Sequence, residues 1–252
     1  MKVIAAHVEK GGTGKTTTIG NIAYWMAREV PTVIFDADPQ GNLTSWYVTQ
    51  DMDFEFADLL YDEASFDEIV KMVRSNLGVV PTFGIDGRLG DFRDSQVLVN
   101  RQFAFSDAVE TAKAAGFEVA LFDMGPGISN LEKQILGLCG EVIAVAALEY
   151  FSIDGLEIFE VEVDKVRRQF RSELVADKVV ANRVNRSYSL HEAYQKEFDA
   201  LRYELYVIGQ STSISDAIPR HVVLAEYDRR NPYNKVYRRL AEDLLSGSRL
   251  LA

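Results

Sequence analysis

The stretch VIAAHVEKGGTGKTTTIGNIAYWMA, residues 3–27, constrains the fold of this chain more than any other. An apolar run suited to a buried strand passes through a glycine-rich turn into a segment of helical length. Gly11, Gly12 and Gly14 let the backbone curl tightly and approach a ligand without Cβ clashes. The amides of such a turn, with the start of the following helix, favour a bound anion. Lys15 is placed to reach the β- and γ-phosphates of a nucleoside triphosphate, and the Thr16 hydroxyl to ligate Mg²⁺. A phosphate loop needs one lysine, yet a second, Lys10, stands just before the first glycine.

Further along, strand-like runs alternate with helix-length segments, the pattern of a parallel sheet covered on both faces. Strands are expected at Val3–Val8, Thr32–Phe35, Gly78–Pro81, Glu118–Phe122, Val142–Ala146, Lys178–Ala181 and Leu205–Val207. Helices are expected at Lys15–Arg28, Phe66–Ser75, Phe105–Ala115, Asn130–Cys139, Ile153–Phe170, Leu190–Leu201 and Asn234–Leu245. The 252 residues suit one α/β domain, a mostly parallel twisted sheet with helices on both faces, spanning residues 1–252. The acid-rich stretch 50–100 reads as an irregular insertion of helices and loops at the sheet edge.

Two apolar strands end in carboxylates. TVIFDADPQGN puts Asp36 at a strand's carboxyl end with Asp38 two residues on, and EVALFDMGPG puts Asp123 at the end of another. Open parallel sheets bind ligands at that edge. A carboxylate there is either a turn residue capping a helix or a member of a metal's shell, and the phosphate loop favours the metal.

The net charge of −11 argues at first against nucleic acid, but its distribution is polar. Residues 1–164 carry 11 Lys+Arg against 27 Asp+Glu, whereas residues 165–252 carry 16 against 11. Arg220, Arg229, Arg230, Arg238 and Arg239 are the candidate DNA contacts in this basic third, set against the plainer reading of solvated helix faces. Cys139 is the only cysteine, which excludes an intrachain disulfide and disfavours a thiolate metal centre. No apolar run approaches the roughly 18 residues of a membrane span, and the expected location is the cytoplasm.

KGGTGKTT resembles the deviant Walker A loop of the ParA/MinD group of P-loop ATPases (SIMIBI-type), and DADPQGN resembles the switch I segment of ParA proteins. LEYFSIDGL and IPRHVVLAEYD are similar to later ParA segments, so that the likeness runs from Met1 to about Leu245. It implies a slow ATPase that closes into a homodimer around ATP, binds DNA without sequence preference and associates with the nucleoid in that state. A ParB-like or other partner protein would stimulate hydrolysis and release it. Carried over, Lys10 becomes the signature lysine that enters the partner subunit's site. Gly11, Gly12, Thr13, Gly14, Lys15, Thr16 and Thr17 become phosphate ligands, with Thr16, Asp36 and Asp123 around Mg²⁺. Asp38 becomes the residue that positions or activates the attacking water, while Asn182, Arg183 and Pro219 lie toward the adenine. The chain departs from the group at Asp123-Met124-Gly125-Pro126-Gly127, where D-x-P-P is common, and at His7, where asparagine is common. Two other roles exist on this fold: a MinD- or FlhG-like ATPase acting at a membrane, and an amidoligase-type metabolic enzyme. The first needs an amphipathic tail, and residues 246–252 are short for one.

Overall fold

The computed structural model describes residues 1–7, 11–94, 101, 103–147, 153–184 and 203–247. Eight strands form one sheet: β1 (Lys2–His7), β2 (Thr32–Ala37), β3 (Lys71–Arg74), β4 (Leu77–Val80), β5 (Val119–Met124), β6 (Glu141–Ala147), β7 (Val175–Val184) and β8 (Glu204–Gly209). Their order is β3-β4-β2-β5-β1-β6-β7-β8. Every neighbouring pair is parallel except β3 with β4.

TVIFDA and VALFDM, the sequences of β2 and β5, are buried at every position. Period-two alternation then divides their side chains between two cores. Val33, Phe35, Ala120 and Phe122 face one side with Phe56, Phe66 and Phe105. Ile34, Val119 and Leu121 face the other with Ile19, Ile22 and Tyr237. The first core is covered by α3 (Phe56–Leu60), α4 (Phe66–Ile69), α5 (Leu89–Asp94), α6 (Ala104–Ala114), α7 (Asn130–Leu138) and α8 (Ile153–Phe170). The second is covered by α1 (Lys15–Met26), α2 (Asn42–Tyr47), α10 (Leu224–Tyr227) and α11 (Tyr233–Ser246). The remaining short helix, α9 (Thr212–Ala217), follows β8.

All seven expected strands are present. The helix expected over Phe66–Ser75 stops at Ile69, where the Ser65–Glu68 capping box has opened it and Val70 is already extended. Residues 71–80 then make a hairpin with a two-residue turn at Ser75-Asn76. The helix expected over Leu190–Leu201 lies outside the described residues.

Two hydrogen bonds fix the position of α2. Tyr47 donates its hydroxyl to the Gly20 carbonyl at 2.7 Å, and the Trp46 indole donates to the Val222 carbonyl at 2.9 Å. The indole ring lies so close to α1 that a Cβ on Gly20 would stand 2.2 Å from it. No helix among the described residues is long and apolar enough to cross a membrane.

Candidate functional site

Three adjacent strands, β2, β5 and β1, deliver the site to one edge of the sheet. β1 ends at His7, and the turn closing on α1 reverses direction through Gly12 at φ 75° and Gly14 at φ 100°. Gly14 is demanded twice over, since a Cβ there would also lie 2.0 Å from the Asn182 amide nitrogen. That nitrogen donates to the Thr13 carbonyl at 2.8 Å and ties the end of β7 to the turn. No side chain caps α1, so its first amides face the site unclaimed by a side-chain acceptor. Lys10, with Val8 and Glu9, lies outside the described residues.

Lys15 opens α1 and is buried to 7% exposure. Burial pulls its ammonium pKa below the ordinary value, against the opposing pull of Asp123, Asp38 and Glu132. Its surroundings are therefore carboxylates, the charge pattern a lysine meets when it awaits a phosphate. Asp36 and Asp123 stand side by side in register on β2 and β5, both fully buried. Asp36 is satisfied: its Oδ2 accepts from the Thr44 amide at 2.8 Å and the Thr44 hydroxyl at 2.6 Å. Burial nevertheless pushes its pKa up to about 7. Asp123 differs. Neither of its carboxylate oxygens makes a hydrogen bond of normal geometry, and burial, then the charge of Asp36, raises its pKa well above the usual carboxylate range.

Two orphaned, fully buried oxygens beside the Thr16 hydroxyl fit a hard cation. Among the described residues there is no group of three or more His, Cys, Asp or Glu suited to a metal. The fit is accordingly that of Mg²⁺ held by few protein oxygens together with substrate phosphates, with Thr16 and Asp123 nearest and Asp36 behind its Thr44 bonds.

Asp38 lies on the loop after β2, where its Oδ1 accepts from the Gln40 amide at 3.0 Å. Gly125 brings the segment after β5 against it, for a Cβ there would be 3.4 Å from the same oxygen. The Pro126 ring lies over Gly11. The departure at 124–127 thus places Gly125 where an added Cβ would meet Asp38 at ordinary van der Waals distance.

Beside the turn opens a cleft of about 790 Å³ lined by Gly14, Thr17, Asn182, Arg183, Gln210 and Ile218, among others. The structure brings Asn182 and Arg183 to the phosphate loop, whereas Pro219 is not among the lining residues and its neighbour Ile218 takes that place. The five candidate arginines are all exposed. Arg238 and Arg239 pair with Glu242 and Asp243 one turn on, at 2.8 and 3.4 Å, which dilutes their charge.

Sequence reasoning missed two site residues. Thr44 carried no local signal, since it meets Asp36 only through the fold. Glu132 did carry one: Ser129-x-x-Glu132 is a capping box, and its carboxylate, 1% exposed, accepts from the Ser129 amide at 2.8 Å. His7 is neutral, its pKa lowered to about 4 by burial and then by Lys15, and its ring stacks on Phe159 with centroids 6.3 Å apart.

A family profile described as an AAA domain (AAA_31) matches residues 1–176. The sporulation initiation inhibitor protein Soj of Bacillus subtilis is 28% identical over 252 residues, covering 96% of this chain and 98% of Soj. The chromosome partitioning protein ParA of Caulobacter vibrioides is 27% identical over 261 residues, covering 99% of this chain and 96% of that one. A solved structure of a plasmid partition protein from Borrelia burgdorferi, bound to AMPPNP, has the same fold. Its TM-score is 0.80 at 18% identity, over 97% of this chain and 98% of that chain.

Proposed function

Because the chain belongs to this AAA domain family, the ParA/MinD-type P-loop ATPases, we propose that it is an ATP-driven switch for DNA partition or cargo positioning. In this reading ATP closes two copies face to face, the closed dimer holds DNA without sequence preference, and a partner protein triggers hydrolysis and release. The observation that carries it is Lys15, buried among Asp38, Asp123 and Glu132 at the mouth of an uncapped helix.

The residues then take these roles. Gly11, Gly12, Thr13, Gly14, Thr16 and Thr17 cradle the phosphates, and Lys15 neutralises them. Asp38 orients the attacking water and accepts its proton as the bond to the γ-phosphorus forms and the bond to the ADP oxygen breaks. Mg²⁺ beside Thr16, Asp36 and Asp123 would supply charge neutralisation on the phosphate oxygens. Asn182 holds the turn rigid, so that its amides are already aimed when ATP arrives. Lys10 acts on the twin's terminal phosphoryl as an arginine finger does, worth roughly 10³–10⁵ in rate where such fingers act.

The test is particle size with ATP, ADP and no nucleotide, for wild type, Lys10→Ala and Asp38→Ala. Asp38→Ala is expected to dimerise with ATP and hydrolyse poorly, and Lys10→Ala to lose productive hydrolysis. A monomer under every condition would rule the switch out.

A further inference from the structure

A second cleft, of about 500 Å³, opens between α1 and α11 and is lined by Tyr24, Trp25, Arg28, Arg229, Asn234 and Arg238. Ten residues of helix separate Trp25 from Lys15, about 15 Å at the helical rise, so this cleft is distinct from the nucleotide site. Three guanidiniums converge here in a chain whose net charge is −11. No carboxylate lines the cleft; neither Arg28 nor Arg229 has an ion-pair partner among the described residues, while Arg238 shares its charge with Glu242 through Nε.

Two of these arginines, Arg28 and Arg238, are also held. The Arg28 guanidinium carbon lies 5.8 Å from the Trp25 ring centre and 5.9 Å from that of Tyr24, while Arg238 lies 5.8 Å from Trp25. Trp25 therefore carries two cations beside one indole, which gathers them before any ligand arrives. Asn234, 8% exposed, supplies the independent observation. Its Nδ2 donates to the Asp228 carbonyl at 2.8 Å, which sets the amide's orientation and leaves its Oδ1 buried with no hydrogen-bond partner. A buried acceptor left over beside grouped cations suits a ligand that brings negative charge and a hydrogen-bond donor together.

We propose that this cleft binds a nucleotide unit, its phosphate on Arg28, Arg229 and Arg238 and a base amine or sugar hydroxyl on Asn234. Guanidiniums match phosphate oxygens in bidentate fashion, and a bare sulfate has no donor for Asn234. The unit comes either from a free nucleotide or from a nucleic-acid strand. In the second case the cleft deepens the DNA half of the proposed function, and adds Trp25, Arg28 and Asn234 to arginines already suspected from their clustering.

The experiment uses the full chain saturated with AMPPNP and Mg²⁺, so that the phosphate loop is occupied. One arm titrates a short labelled DNA duplex across a salt series, and the other titrates uridine monophosphate by calorimetry. Arg28→Ala is expected to weaken binding about tenfold, and in the DNA arm to lower the log–log salt slope by about 0.9. Trp25→Leu removes no charge, so it weakens binding with the slope unchanged, and Trp25→Phe restores most of the loss. The arm in which these losses appear identifies the source of the nucleotide. Wild-type affinity in both Arg28→Ala and Trp25→Leu, or no binding by wild type in either arm, overturns the proposal. Either result leaves the ATP-dependent dimer untouched. Should Trp25→Leu fail to match the wild-type unfolding midpoint, Arg28→Ala, at an exposed position, decides alone.

Discussion

Thr44→Val removes one hydroxyl and almost no volume, and that hydroxyl serves two buried groups. It donates to Asp36 Oδ2 at 2.6 Å and accepts from the Thr82 amide at 3.0 Å. A hydrogen bond to a charged group contributes about 1.5–3 kcal/mol, and a buried amide left unsatisfied costs about 1–3 kcal/mol. A net loss of about 3–4 kcal/mol is expected, large beside the ~5–15 kcal/mol that holds a domain together. It should be read as a fall in urea midpoint at constant slope. The same change acts on charge. Both Thr44 bonds favour ionised Asp36, so losing one raises its pKa beyond about 7. Asp36 already binds its proton more tightly when folded, so the nucleotide-free protein loses stability from this group as pH rises from about 4 through 7. In Thr44→Val that loss extends to higher pH, and Mg²⁺-dependent nucleotide binding is weaker at neutral pH than in wild type. The deficit narrows as pH rises above 7 and Asp36 ionises in both. A stability change under ~1 kcal/mol, with an unaltered Mg²⁺ requirement, would refute the reasoning.

Gly14→Ala forces a side chain onto φ 100° and into the Asn182 amide, at a cost of about 1–2 kcal/mol from the backbone alone. Nucleotide titration should reveal a large loss of affinity, and Asn182→Ala in the same chain should recover only the steric part. His7 binds its proton less tightly when folded, so stability falls as pH drops from about 6.5 to 4. His7→Asn should abolish that fall, worth about 3 kcal/mol across the window, in unfolding curves collected as a function of pH.

The parts of this fold legible in the sequence are those written in local pattern. Continuous apolar runs marked the buried parallel strands, and the glycine turn marked the phosphate loop, because both depend on near neighbours. β4 falls where a strand is expected, but β3 replaces an expected helix end, because Lys71-Met72-Val73-Arg74 is equally compatible with the last turn of a helix. What decides the matter is β3 pairing antiparallel with β4 across a two-residue turn, on a β4 that a distant strand, β2, already holds in the sheet. Thr44 was invisible for the same reason, its meaning arising only when α2 folds back on the end of β2. The α1–α11 cleft joins residues 24–28 to residues 229–238, a distance no periodicity can bridge. The arginine clusters gave its charge; only the packing of two helices gave its shape.

The indole of Trp46 occupies a slot one methyl group deep. Gly20, on the helix that starts from the phosphate turn, gives way to the ring, and the ring's nitrogen holds the segment leading away from Arg220. A displacement of the Asp38 loop large enough to register γ-phosphate loss, if carried by α2, must either rupture the tie at Val222 or drag the basic third along with it. News of hydrolysis would then travel to the arginine-bearing surface by rigid leverage, and a single added carbon at position 20 would be enough to jam it.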